Sequence, residues 1–76
     1  MAVNYAYNFA IIDRASTMCV EVRSSTRDES GSSTDAELYV LVPVYDEEYL
    51  FKYYNEADGK FYYDPEYTQE YISPLL

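Results

Sequence analysis

The N-terminal part of the chain alternates apolar and polar side chains with a period of two, which is typical of a β-strand with one buried face. Over residues 3–12, one side carries Tyr5, Tyr7, Phe9 and Ile11, and the other carries Asn4, Ala6, Asn8 and Ala10. After turn-forming residues at 13–17, one side carries Met18, Val20 and Val22, and the outward side carries Cys19, Glu21 and Arg23. The pattern predicts a half-buried β-hairpin with one face toward water.

Two contrasting segments follow this hairpin. Residues 24–35 contain no apolar side chain that would anchor them, which predicts a mobile surface loop over 24–36. The run from Glu37 to Val44 is apolar on both faces, and Pro43 marks its end. Such a run suits either a central strand or a strand covered by a partner chain, and it predicts the third strand of an antiparallel sheet.

The last part of the chain, residues 45–76, combines aromatic strands with acidic turns. Residues 50–54 and 60–63 flank a turn in which Gly59 takes the positive φ of a bulged hairpin, so a second, tyrosine-rich hairpin is expected. The sequence Tyr-Asp-Glu-Glu-Tyr from Tyr45 is echoed by Tyr-Asp-Pro-Glu-Tyr from Tyr63. In both copies Asp is a suitable N-cap, which predicts one or two short helical turns.

These elements predict a single small domain over residues 1–76, of α+β class and mostly β. Residues 1–44 form a three-stranded antiparallel sheet with the loop, and residues 45–76 form an acidic aromatic hairpin region.

Residue counts limit the chemistry. The 76 residues include no histidine and a single cysteine, Cys19, which excludes a Ser-His-Asp or Cys-His catalytic set, a zinc cluster and an internal disulfide. The net charge is −9, but 49% of the residues are hydrophobic, so we expect a folded protein rather than an acidic disordered tail. No long apolar run or signal-like start occurs, so no membrane association is expected.

Candidate metal and catalytic groups are sparse. The loop from Thr26 approaches a calcium-binding pattern, but Thr stands where the first Asp is needed. The pattern positions are filled by Asp28, Ser30, Gly31, Thr34 and Glu37. The acid pairs Glu47/Glu48 and Asp64/Glu66 are equally explained as first-turn carboxylates. We therefore expect no enzyme activity, no cofactor and no metal.

The aromatic content points to recognition. The chain has eleven tyrosines, and ten aromatic residues lie within residues 45–71, more than one face of a small hairpin hides. Tyrosine is enriched in interfaces because it presents a large, rigid, amphipathic surface. The alternative is that these aromatic rings only fill the core. The candidate partner-binding residues are Tyr49, Tyr53, Tyr54, Tyr62, Tyr63 and Tyr67, and the expected partner is another protein or a second copy of the chain.

Charge restricts the partner further. Residues 44–76 carry eight acidic side chains against two lysines, so direct nucleic-acid binding is not expected. The acidic surface is either a solvated face or a mimic of nucleic acid that blocks the basic groove of another protein.

A resemblance spans most of the chain. It is carried by Ala10-Ile11-Ile12-Asp13, Met18-Cys19-Val20-Glu21-Val22, Val42-Pro43-Val44-Tyr45 and the stretch from Tyr53 through Asp58-Gly59-Lys60 to Glu66. The sequence resembles small uncharacterised proteins of bacteriophages and prophages, particularly those encoded near tail genes. The resemblance implies a viral accessory or virion-associated protein that acts by binding, in the host cytoplasm or the virion. An anti-CRISPR-like inhibitor of a host defence enzyme is the alternative.

Overall fold

The computed structural model describes residues 7–76, which form two antiparallel three-stranded sheets. The strands of the first sheet are β1 Tyr7–Asp13, β2 Cys19–Ser25 and β3 Glu37–Val42, in the order β2-β1-β3. Those of the second sheet are β4 Tyr53–Asn55, β5 Lys60–Tyr62 and β6 Glu70–Tyr71, in the order β4-β5-β6. Helical structure in this part of the chain consists of two 3₁₀ turns, Ser30–Ser32 and Glu47–Tyr49. The mostly β prediction is confirmed.

The first hairpin forms as predicted, with β1 and β2 antiparallel. Its turn is closed by the Thr17 N–H, which donates to the Asp13 carbonyl at 2.7 Å, and Thr17 has a positive φ of 63°. The Ser16 hydroxyl adds a hydrogen bond to the Asp13 carboxylate at 2.8 Å. The predicted strand residues 3–6 lie outside the described part of the chain.

A β-bulge in β2 reverses the predicted faces of Cys19 and Val20, whereas Val22 packs against the core as predicted. Cys19 pairs with Ile12 and Glu21 pairs with Ile11, so Val20 is an extra residue without a partner in the register. An extra residue interrupts the alternation of side chains. Cys19 is therefore completely buried, whereas Val20 is 45% exposed. The prediction of an outward Cys19 and an inward Val20 was wrong.

The central strand of the first sheet is β1, and β3 lies at its edge. All four residues from Phe9 to Ile12 are buried, so side chains on both faces of β1 are covered and the prediction of a half-buried first strand was wrong. Ala10 and Ile12 face the main core, while the Phe9 ring packs near Tyr39 on the opposite face, with ring centroids 6.3 Å apart. Among residues 7–76, β3 pairs with β1 alone, so the prediction that it is a central strand was wrong. A β3 covered by a partner chain stays a prediction.

One core joins the two sheets. It is formed by Ala10, Ile12, Cys19, Val42, Tyr49, Phe61 and Tyr71. Backbone hydrogen bonds connect residues 17–19 to residues 52–54, where β2 and β4 begin: the Cys19 N–H donates to the Lys52 carbonyl, and the Tyr54 N–H donates to the Thr17 carbonyl, both at 2.8 Å. The strands thus follow the order β3-β1-β2-β4-β5-β6 around the core, and β3 and β6 are the outer edges.

The tyrosine-rich hairpin is present as β4 and β5, and Gly59 has the expected positive φ of 71°. The structure adds a strand to it, because the two-residue β6 pairs with β5. The first predicted helical turn forms, since the Asp46 carboxylate accepts the Glu48 N–H at 2.9 Å. The second does not form. Asp64 instead accepts the N–H groups of Thr68 and Gln69, both at 3.0 Å, which closes a loop.

The predicted loop begins two residues later than expected, because Ser24 and Ser25 belong to β2. The Ser25 hydroxyl donates to the Glu29 carboxylate at 2.6 Å, and Arg14 Nε donates to the Thr34 carbonyl at 2.8 Å.

Candidate functional site

Two of the six candidate tyrosines belong to the core. Tyr49 is buried, and its ring lies 4.7 Å from that of Phe61 and 5.6 Å from that of Tyr71, centroid to centroid. Tyr54 packs against the same cluster, 5.0 Å from Phe61. Each residue contributes apolar area to the core, so both serve the fold.

Three other candidates, Tyr53, Tyr62 and Tyr67, are half-buried. Tyr53 and Tyr62 lie directly opposite each other on β4 and β5, and the Tyr62 ring lies 5.4 Å from Tyr67. The Tyr62 hydroxyl donates to the Asp58 carboxylate, which raises the pKa of Tyr62 to about 12. The Tyr67 hydroxyl donates to Thr17 Oγ1 at 3.0 Å. The hydroxyls of Tyr62 and Tyr67 are therefore used within the chain.

Tyr63 is the most exposed of the six candidates. Its ring meets Tyr71 edge to face with centroids 5.6 Å apart. Lys52 Nζ lies 5.1 Å from the Tyr63 ring centroid and 4.8 Å from that of Tyr71, and it donates to the Glu48 carbonyl at 2.8 Å. Such cation–π contacts hold the lysine over the rings. Tyr63 therefore presents one side to solvent and fixes Lys52 with the other.

The most prominent exposed ring is Phe51, which the sequence did not single out. Its side chain is 69% exposed, and its backbone has a positive φ of 68°. The Phe51 N–H donates to the Cys19 carbonyl at 2.8 Å, and the Lys52 N–H donates to the Tyr49 carbonyl at 3.0 Å. These bonds hold the backbone in a conformation that is unusual for a bulky residue. No sequence signal marks this position, because the apolar run 50–54 is typical of a strand.

A second feature missed from the sequence is a buried carboxylate. Asp46 accepts hydrogen bonds from the hydroxyls of Tyr71 and Ser73, in addition to the Glu48 N–H. Burial raises the pKa of Asp46, but the bonds from Ser73, Tyr71 and the Glu48 N–H, with the charge of Lys52, outweigh burial and leave that pKa below its usual value. Asp46 thus connects the 3₁₀ turn to the C-terminal residues.

Acidic groups dominate the exposed polar surface of the C-terminal region. The exposed carboxylates are those of Glu47, Glu48, Glu56, Asp58, Glu66 and Glu70. Three of the five cations lie beside acidic groups: Arg14 is 3.6 Å from Glu56, Arg23 is 3.0 Å from Glu21, and Lys60 is 3.9 Å from Glu70. The surface therefore combines a few exposed rings with an excess of negative charge.

The remaining sequence candidates show no catalytic or ligand geometry of their own. Asp28 accepts the N–H and the hydroxyl of Ser30, and these bonds lower its pKa. No cluster of three potential metal ligands occurs within residues 7–76. Burial raises the pKa of the Cys19 thiol to about 11. Within the same residues, no helical segment has the length and hydrophobicity required to cross a bilayer.

Glu47 and Glu48 lie in the first turn of the 3₁₀ segment, as their capping position predicts. Asp64 closes its loop through Thr68, whose hydroxyl donates to the carboxylate at 2.6 Å. Comparison with protein-family models, curated proteins and solved structures finds no match to this chain, so the arrangement of these side chains is the basis for assigning a function.

Proposed function

We propose that this protein is a non-enzymatic interaction module that binds a basic partner protein, with Phe51 as the aromatic anchor. The observation that carries the proposal is the combination of exposure and strain at Phe51. A positive φ costs a non-glycine residue about 1–2 kcal/mol. Such strain is typical of functional positions, and a large ring held in solvent is typical of the residues that contribute most to an interface.

The charge of the chain supports a basic partner. A net charge of −9, with four of the five cations beside carboxylates or rings, produces a negative field over the surface. Such a field accelerates association with a positively charged protein and makes binding sensitive to salt. The resemblance to small phage and prophage proteins supports an accessory or virion-associated role, in which that partner is a host protein or a neighbouring component of the particle.

The test is a Phe51→Asn substitution. Asn tolerates positive φ far better than Phe, so the variant is expected to fold with unchanged or greater stability. Immobilised wild-type protein is expected to retain a defined protein from bacterial lysate at low salt and to release it at high salt, whereas Phe51→Asn loses it. Leu75→Asn is the matched control, because Leu75 is also exposed, at 60%, but lies elsewhere. Equal retention by wild type and Phe51→Asn would contradict the proposal.

Mimicry of nucleic acid is the second candidate, and the exposed carboxylates of residues 45–71 favour it. A mimic occupies the DNA-binding groove of its partner. Duplex DNA should then displace the captured partner, and Phe51→Asn should bind as wild type does. A Phe51-dependent partner that duplex DNA does not displace supports the first proposal.

A further inference from the structure

The two outer edges of the sheets face each other across a groove. One wall is formed by Val40–Pro43, at the end of β3, and the other is formed by Glu70–Ser73. The cavity between them has a volume of about 200 Å³. Its apolar floor includes the buried side chains of Val42, Phe61 and Tyr71. The space is sufficient for one or two aliphatic side chains.

The backbone of β3 presents hydrogen-bonding groups to this groove. The Arg14 N–H donates to the Ala36 carbonyl, so in this antiparallel register the N–H and C=O of Glu37, Tyr39 and Leu41 point away from β1. The loop before β3 bonds to the outward groups of Glu37 and Tyr39. The Glu37 carbonyl accepts the Thr34 N–H at 2.7 Å, and the Tyr39 N–H donates to Ser33 Oγ at 2.9 Å. Within residues 7–76, the outward backbone groups of Leu41 have no hydrogen-bond partner.

The opposite wall presents similar groups. The Tyr63 N–H donates to the Gln69 carbonyl at 2.8 Å, and Phe61 pairs with Tyr71, so the backbone groups of Glu70 and Ile72 point away from β5. Among the described residues they too lack an intrachain partner. The side chains of Leu41 and Ile72 are exposed on the two walls, and Leu76 lines the same groove.

We infer that this groove binds an extended peptide segment in which aliphatic residues alternate with lysine or arginine. Unpaired strand edges are satisfied by the backbone of an added strand, and the apolar floor accepts its aliphatic side chains. The charged residues that line the groove, Lys60 and Glu70, balance each other, so the net charge of −9 over the whole chain favours basic residues at the remaining positions. The same charge opposes a second copy of this chain as the occupant. This inference rests on the proposed role in protein binding and places a second contact away from Phe51.

The test uses a seven-residue peptide of alternating lysine and valine, capped at both ends, titrated into ¹⁵N-labelled full-length protein. Saturable shifts are expected at the amides of Leu41, Glu70 and Ile72. A peptide with glutamate in place of lysine, and a peptide N-methylated at valine, should each bind at least about tenfold more weakly. Absence of saturable shifts, or equal binding of the N-methylated peptide, would overturn the inference. So would concentration-dependent shifts at these amides without peptide, since a second copy would then fill the groove.

Two variants that add the same positive charge distinguish binding in the groove from general electrostatic attraction. Ile72 and Leu75 are 66% and 60% exposed, but only Ile72 lines the groove. Ile72→Lys should weaken peptide binding about tenfold, and Leu75→Lys should have a much smaller effect. Equal weakening would reject the groove as the site. Phe51→Asn should bind the peptide as wild type does, so failure of this inference leaves the Phe51 test unaffected.

Discussion

The Tyr71 hydroxyl donates a hydrogen bond to the Asp46 carboxylate at 2.5 Å, and both side chains are buried. Ser73 donates to the same carboxylate oxygen at 2.7 Å. The acid therefore lies in the interior with its acceptors satisfied, which removes most of the penalty for burying it. Because Asp46 also caps the 3₁₀ turn Glu47–Tyr49, one side chain holds together two segments that are 25 residues apart.

Asp46→Ala should lower the free energy of unfolding by about 2–4 kcal/mol, because it removes the cap and leaves the buried Tyr71 and Ser73 hydroxyls without their acceptor. Urea denaturation followed by tyrosine fluorescence measures the change. Glu47→Ala is the control, since Glu47 is an exposed acid in the same turn and its loss should cost much less. Similar costs for both variants would show that the buried network does not stabilise the fold.

Stability should fall at acid pH, and Asp46 should account for part of that fall. A carboxyl group whose pKa is lower in the folded state stabilises the fold at pH values above its unfolded pKa. This contribution is lost as the pH falls below about 5 and passes through the folded-state value. Asp28, Asp58 and Asp64 have lowered pKa values too, through their hydrogen bonds.

The comparison that isolates Asp46 is the pH dependence of urea unfolding for wild type and Asp46→Asn. The variant lacks one titrating group, so its free energy of unfolding should change less between pH 7 and pH 3 than that of wild type. Parallel pH profiles would place the whole acid dependence in the exposed carboxylates.

Cys19 should resist alkylation in the folded state. The thiol is buried and its pKa is raised to about 11, so almost no thiolate is present at pH 8. Iodoacetamide labelling at that pH, followed by mass spectrometry, should be slow in buffer and rapid in concentrated urea. The raised pKa also means that this group stabilises the fold below its unfolded pKa, and that the contribution decreases as the pH rises toward 11. Rapid labelling of native protein would contradict the buried position.

Gly59→Ala should destabilise the protein by about 1 kcal/mol, because Gly59 has a φ of 71° that a residue with a Cβ adopts at a cost. Gly31→Ala is the matched control. Gly31 is not in the positive-φ region, and a Cβ added there meets no atom within 4 Å. Thermal unfolding of the two variants measures the difference, and a cost at Gly31 equal to that at Gly59 would exclude backbone strain as its cause.

Tyr54→Ala and Tyr63→Ala should separate a core ring from an exposed one. Tyr54 packs against Phe61 and the rest of the core, so its truncation should cost about 3 kcal/mol. Tyr63 is exposed and contacts Tyr71, edge to face, and Lys52, which lies over its ring, so its truncation should cost about 1 kcal/mol or less. Equal losses, measured by urea unfolding, would show that Tyr63 contributes to the core.

Local chemistry made several elements predictable from the sequence. The hairpin turn at Gly59 follows from the ability of glycine to adopt a positive φ. The cap at Asp46 follows from a carboxylate placed two residues before an N–H that needs an acceptor. The first hairpin follows from period-two alternation on both sides of a polar turn. In each case the interacting atoms are within a few residues of one another, so the sequence already places them together.

The candidate site was less predictable, because it depends on contacts between distant residues. Adjacent residues of a strand, such as Tyr53 and Tyr54, point to opposite faces, but only the packing against Phe61 decides which one serves the core. Phe51 gave no signal, since its positive φ is held by a bond to Cys19 in another element.

Sequence by itself determined a mostly β chain with two hairpins, an acidic surface and an excess of rings, because these properties depend on composition and on spacing between near neighbours. Only the tertiary structure decided which faces are buried. The extra residue Val20 in β2 directs the Cys19 side chain into the core. Pairing with β2 and β3 makes β1 the central strand. The C-terminal strand β6 pairs with β5, and its Tyr71 bonds to Asp46, which is 25 residues away. Such choices depend on the energy of contacts between distant segments, which alternation along the chain does not encode.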